Sequence, residues 1–208
     1  MVQNVIQFHG CALEDGHVPR DLQEFVARLE EEGELHRVPV EVDPVLEIAE
    51  ITNRMSKSPG GGKALFFERV LGSDMPVVTN LFGSHQRLCT ALGIPSPAFL
   101  THLMEQLLRE VPANGPFSLD ESGQLAAFAP RTVVRGSCQE VTETHPDLGA
   151  LPVLKSWSDN GLPASAGRFI TLPLVITRDP ATGAANCGMY RVEAVREAVQ
   201  ERWREYVF

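Results

Sequence analysis

Four residues in the segment "ANCGMYR" could do chemistry together: Asn186, Gly188, Tyr190 and Arg191. Asn186 offers an amide oxygen, a hard ligand of the kind that Mg²⁺ or Mn²⁺ accepts. Gly188 allows another group to approach the backbone closely. Arg191 carries a permanent charge on a planar fork that matches a carboxylate or phosphate at two points. Read alone, the same residues also fit a surface hairpin whose Asn and Arg face solvent.

The stretch "FITLPLVITRDPATGAANCGMYR" (169–191) must position them. Ile170, Leu172, Leu174 and Ile176 alternate with Thr171, Pro173, Val175 and Thr177, which predicts a half-buried strand with one apolar face. Pro173 removes a ladder donor, so this strand belongs at an edge or a bulge. "RDPATG" suits a tight turn. In the returning strand, Ala184 to Val192, alternation places Asn186, Gly188 and Tyr190 on one face and Cys187, Met189 and Arg191 on the other.

Upstream, the pattern alternates between helix and strand. In "PRDLQEFVARLEEEGELHRV" Asp21 and Glu24 have capping-box spacing, and Leu22, Phe25, Val26 and Leu29 form one helical face. Gly33 is the expected stop. Leu35 to Val42 reads as a strand in which Pro39 marks an edge or a bend. Asp43-Pro44 is expected to open the next helix, with Leu46, Ile48, Ala49 and Ile51 as its apolar residues. "MPVVTNLFGSHQRLCTALG" reads as strand, turn and helix, with Gly83-Ser84 turning the chain and capping the helix. His85 and Arg87 near that helix start could bind an anion, or form a solvated helix end. "SPAFLTHLMEQLLREV" is a helix capped by Ser96, and its stripe of Leu100, Leu103, Met104, Leu107 and Leu108 is expected to be core.

"SPGGGKALFFERV" raises a phosphate-loop question and answers it. The full pattern needs Gly at position 57 and Ser or Thr at position 64, where the chain has Lys57 and Ala64. The loop also follows a helix and precedes a strand, the reverse of the required order. It is a turn.

Between 112 and 124, Pro, Gly, Ser, Asp and Asn accumulate without periodicity, as in a linker. β-rich sequence, beginning with "RTVVRGSCQEVTET", is expected beyond it. The bulk numbers exclude several classes. A net charge of −9 over 208 residues argues against non-specific nucleic-acid binding. No apolar run is long enough for a membrane span, and "MVQNVIQFHG" lacks a secretory pattern, so a cytoplasmic protein is expected. Cys11, Cys89, Cys138 and Cys187 are far apart, which favours reduced thiols over zinc or a disulfide framework.

From about Pro19 to Arg191 the chain resembles the N-terminal part of the UbiD-like decarboxylases, which use prenylated FMN. Three segments carry the resemblance: "RDLQEFVARLEEEGELHRV" with "EVDPVLEIAEITNRM"; "MPVVTNLFGSHQRLCTALG"; and "LPVLKSWSDNGLPASAGRFITLPLVITRDPATGAANCGMYR". The resemblance implies an α/β (α+β) chain, and the boundary near residue 120 that the linker composition supplies divides it into four parts. Residues 1–18 are an N-terminal arm, and 19–120 an N-terminal α/β domain. Residues 121–193 are part of a split β-barrel, FMN-binding-like domain, and 194–208 are a tail. It implies a carboxy-lyase: reversible, non-oxidative decarboxylation of an aromatic or α,β-unsaturated acid. Asn186 matches the asparagine that binds Mn²⁺ or Mg²⁺, the ion that also holds the flavin phosphate; a monovalent cation can accompany it. Met189, Tyr190 and Arg191 match the segment that contacts the flavin. Arg191 also matches the catalytic arginine that engages the substrate carboxylate and a carboxylate of the enzyme. Implied partners are the small acid, a flavin prenyltransferase as cofactor supplier, and a second copy or partner subunit.

The family chain is longer. Its second cofactor strand, second metal-binding residue and acidic proton donor have no room in "VEAVREAVQERWREYVF". Arg202-Trp203 echoes a pair that opens the second strand in some members. Val195, Val199, Trp203 and Tyr206 instead have the spacing of an amphipathic helix, the favoured reading. The alternative function is therefore a non-catalytic accessory or assembly subunit, or a truncated relic, of such a decarboxylase.

Overall fold

The structure, a computed structural model, describes residues 18–110, 133–136, 139–145, 147–159, 161 and 167–194. Two compact units result. One takes the chain before position 32 together with 84–144; the other takes 32–83 together with the chain from 145 onward.

Among its described residues the first unit contains three helices. α1 (Leu22–Glu31) starts where the capping pattern places it. Asp21 Oδ1 accepts from the Glu24 N–H at 2.9 Å. Glu24 answers through the Arg20 N–H, also at 2.9 Å, one residue earlier than a standard box. Phe25, Val26 and Leu29 are buried, whereas Leu22 is exposed, because the apolar face begins one turn later than its spacing suggests. Gly33 follows with φ 71°. α3 (His85–Leu92) has Ser84 as its cap, accepting from the Arg87 N–H, and Gly93 as a left-handed stop. α1 packs on α3. In α4 (Pro97–Glu110) the expected core stripe is only partly realised: Met104 and Leu108 are exposed, and the Leu103 and Leu107 side chains lie outside the described residues.

The second unit is built on a three-stranded sheet in the order β1 (Leu35–Val42), β2 (Ala64–Val70), β3 (Val77–Thr79). β1 and β2 are parallel; β2 and β3 are antiparallel. The β1–β2 register slips between Val38 and Glu41, around Pro39, so this strand is both at an edge and bent. Proline cannot donate to the ladder, and here the ladder bends around it. α2 (Glu47–Ser56) covers the sheet, and Val42, Ile48, Leu65, Phe67 and Val70 form the core.

α2 starts three residues later than the Asp43-Pro44 pattern predicts. Asp43 still organises the start: its Oδ1 accepts from the Val45 N–H at 2.7 Å, and its own N–H donates to Glu47 at 2.7 Å. The delay has a cause outside the helix. Leu46 donates to the Lys155 carbonyl at 2.8 Å, and Lys155 donates back to Pro44 at 3.0 Å, a one-residue parallel bridge. Leu46 takes φ 70° to make it, a conformation that a branched side chain adopts only under tertiary constraint. Leu154, beside the bridge, packs against the sheet core.

The glycine run forms a turn between α2 and β2, as its context requires. Gly62 has φ 59° and ψ −173°, and a Cβ there would stand 2.1 Å from the Met55 carbonyl oxygen. Asn80 closes the turn, donating to the Gly61 and Lys63 carbonyls at 2.8 and 2.9 Å.

Candidate functional site

The hairpin is a ladder interrupted once. β5 (Leu174–Arg178) pairs antiparallel with β6 (Ala185–Met189), and β4 (Phe169–Ile170) pairs antiparallel with β7 (Val192–Glu193). Between the two pairs, Thr171, Leu172 and Pro173 stand opposite Tyr190 and Arg191. One strand therefore carries an extra residue. Pro173 is the physical reason the long strand breaks: it has no N–H to offer, and its carbonyl accepts from Tyr190 at a long 3.4 Å. Such bulges bend a strand and re-aim its side chains. Among the described residues these two ladders do not close into a barrel.

At the far end the turn follows the sequence. Asp179 accepts from the Ala181 N–H at 2.8 Å and the Thr182 hydroxyl at 2.7 Å, and Gly183 takes φ 74°. The Thr182 hydroxyl, then the Ala181 N–H, hold the Asp179 carboxyl below its ordinary value. A depressed carboxyl stabilises the fold above its unfolded pKa and loses that contribution as pH falls through the folded one. The Ala181 amide signal should therefore titrate with a midpoint below that of an unconstrained aspartate, and Asp179→Asn should abolish the step.

The register decides what faces what. Opposed residues share a face in an antiparallel pair. Thr177 opposes Asn186 and Val175 opposes Gly188, which puts Asn186 and Gly188 on one face. Tyr190 completes that face: its ring folds over Gly188, where a Cβ would stand 2.5 Å from Cε2. Gly188→Ala should evict the ring at little cost, because an exposed ring can swing away. We expect a stability change within about 1 kcal/mol and displaced Tyr190 ring signals in NMR.

The other face carries Leu174 opposite Met189 and Ile176 opposite Cys187. The sequence pattern predicts this face as half-buried. It is not: Leu174, Ile176 and Met189 are 67%, 77% and 64% exposed. Alternation specifies an apolar face but not what covers it.

Arg191 lies in the interruption, outside both ladders. Its guanidinium carbon stands 4.4 Å above the centroid of the Phe169 ring. Asn186 is exposed. Among the described residues neither the Asn186 amide nor the Arg191 guanidinium makes a hydrogen bond or ion pair with protein. Both polar heads are therefore available to a ligand. Among the described residues no group of three or more His, Cys, Asp or Glu could hold a metal ion. Next to Arg191's platform, Phe169 lines an apolar groove of about 430 Å³ between Leu151–Leu154 and Phe169–Pro173.

Sequence reasoning missed Phe169 as the partner of Arg191. The tight turn alone would pair residues by the β5–β6 register, which the extra residue shifts. His85 and Arg87 are not brought together as an anion pair: His85 is exposed, while Arg87 is fully buried, contrary to a solvated helix end. The β-rich expectation for "RTVVRGSCQEVTET" also fails where it can be tested. Residues 133–136 and 139–145 form no strand, and Val134 and Val141 are exposed. The 112–124 linker and the helical tail lie outside the described residues.

Residues 26–107 match the family model for the N-terminal domain of 3-octaprenyl-4-hydroxybenzoate carboxy-lyase, and residues 131–204 match that for its Rift-related domain. The chain belongs to the UbiD family. This UbiD-family chain is 40% identical over 195 residues to an uncharacterized protein of Aquifex aeolicus, covering 91% of this chain and 39% of that one. It is 42% identical over 179 residues to an uncharacterized protein of Archaeoglobus fulgidus, covering 83% and 35%. The chain thus spans well under half the length of these relatives. Its fold resembles the closed form of vanillic acid decarboxylase from Sedimentibacter hydroxybenzoicus, with TM-score 0.67, 27% identity, and coverage of 86% and 36%. It also resembles the UbiD-class enzyme HmfF from Pelotomaculum thermopropionicum in complex with FMN, with TM-score 0.57, 30% identity, and coverage of 82% and 34%. An evolved dimeric form of HmfF in complex with prFMN matches equally, with TM-score 0.57 and 30% identity. Among the described residues, no helix is long and apolar enough to cross a membrane.

Proposed function

We propose that the chain carries one wall of a prenylated-flavin site and serves non-oxidative, reversible decarboxylation of an aromatic or α,β-unsaturated acid. In this reading 19–120 is the N-terminal α/β domain and 121–193 part of the split flavin barrel. Asn186 is a ligand of Mn²⁺ or Mg²⁺, and Met189 and Tyr190 contact the flavin. Arg191 contacts the flavin and clamps the substrate carboxylate. The observation that carries the reading is the pair of uncommitted heads, Asn186 and Arg191, at the family's positions on one hairpin.

The residues present fit these roles singly. A carboxamide oxygen suits a hard cation as one ligand among several. The guanidinium, held over Phe169, can offer two parallel N–H donors to a carboxylate and hold its departing carbon in fixed orientation. Prenylated FMN, when bound, supplies the electron sink that loss of CO₂ from an sp² carbon demands. The test is retention. The chain is mixed with prenylated FMN and Mn²⁺ and desalted, and flavin absorbance is read in the protein fraction. Loss of all flavin from the protein fraction would sink the reading.

A second reading has its own observation. The exposed Leu174, Ile176 and Met189 face is an invitation to association. An accessory or assembly subunit would bury it against a second copy or partner. Light scattering decides: a clean monomer at micromolar concentration counts against it.

A further inference from the structure

We infer that Phe169 is the positioning residue for Arg191, its ring holding the guanidinium flat so that the N–H fork is presented edge-on to an oxyanion. The inference rests on Arg191 being the carboxylate clamp proposed above.

The geometry separates two functions of one cation. The guanidinium carbon stands 4.4 Å over the Phe169 ring centroid, a cation–π contact that uses the ring face and no N–H donor in a hydrogen bond. Its five N–H donors lie in its plane and stay free for an anion. Among the described residues no hydrogen bond or ion pair with protein uses them. A carboxylate partner would occupy two of the five; the ring occupies none.

The ring is itself anchored. The Phe169 N–H donates to the Leu154 carbonyl at 3.1 Å, its residue pairs with Glu193 in the β4–β7 ladder, and Leu154 packs on the sheet core. Arg191 has no such fixture, because it stands in the interruption between the ladders. A long side chain on an unpaired segment has many rotamers to lose on binding, and the ring removes some of them in advance. Phe169 also lines the apolar groove.

The test reads Arg191 directly. In the ¹⁵N-labelled full chain, ring current should shift the Arg191 Cδ protons and Nε–H upfield, the signals being assigned by their loss in Arg191→Lys. Phe169→Leu, which keeps apolar bulk and backbone pairing, should lose the shift. It should also need roughly two- to five-fold more benzoate to half-saturate the Arg191 signal. Phe169→Tyr should restore both. Unchanged shifts and an unchanged titration in Phe169→Leu would overturn the inference, as would failure of Phe169→Tyr to rescue. If Phe169→Leu does not fold, Phe169→Trp replaces it; tighter benzoate binding is then expected, and weaker or equal binding overturns the inference. If the wild-type shift is present but inorganic phosphate, and not benzoate, moves the Arg191 signal, positioning of an oxyanion clamp stands and the carboxylate reading falls.

Discussion

Arg191→Lys, in the flavin-loaded protein, is expected to lower the proposed decarboxylation about a hundred-fold, the scale that a misplaced clamp costs an oriented reaction. Charge is conserved, so any loss reports geometry. An ammonium is a point charge on a flexible stem; it offers no planar fork for two-point contact with a carboxylate. It also lacks the planar, delocalised group whose carbon stands 4.4 Å over Phe169. Both losses act on orientation, so the drop should fall mainly in kcat, with a smaller rise in KM. The measurement is CO₂ release under saturating acid, with flavin content fixed by absorbance. Near-normal turnover would remove Arg191 from the mechanism.

Gly62→Ala should produce the largest loss of stability, at least about 3 kcal/mol, or a fall in Tm of about 10 °C or more. The new Cβ would meet the Met55 carbonyl oxygen at 2.1 Å. That oxygen is backbone at the end of α2, so it cannot rotate away. Gly60→Ala is the control. Gly60 also has a positive φ, 72°, but nothing stands within 4 Å of its Cβ direction. It should cost only the left-handed penalty, roughly 1–2 kcal/mol. Equal melting of the two variants would mean that the turn opens to accept a side chain.

These two sites differ in how well the sequence announced them. The glycine run was legible as a turn, because Lys57, Ala64 and the helix-before-strand order exclude a phosphate loop. The Asp21–Glu24 cap, the Ser84 cap, the bend at Pro39 and the Asp179 turn were legible too. Each depends on atoms within a few residues of one another. The family, and hence Asn186 and Arg191 as candidates, came from motif resemblance.

What stayed hidden depends on distant partners. Leu46 leaves the helix because Lys155 pairs with it, and no local preference encodes that bridge. Leu174, Ile176 and Met189 alternate like a buried face, yet nothing among the described residues covers them. Arg87 looked like a solvated helix end and is fully buried. The Arg191–Phe169 contact needs the extra residue at Thr171–Pro173, which shifts the register between the strand pairs. Spacing rules read one strand at a time and cannot see it.

The Val45–Lys155 bridge sets the order of events during synthesis. A ribosome adding roughly 5–20 residues each second takes roughly 5–20 s to travel from position 45 to position 155. During that interval the nascent sheet waits with the surface that Leu154 will cover still open to water. The first half of this unit is thus translated several seconds before Leu154 is available to cover it.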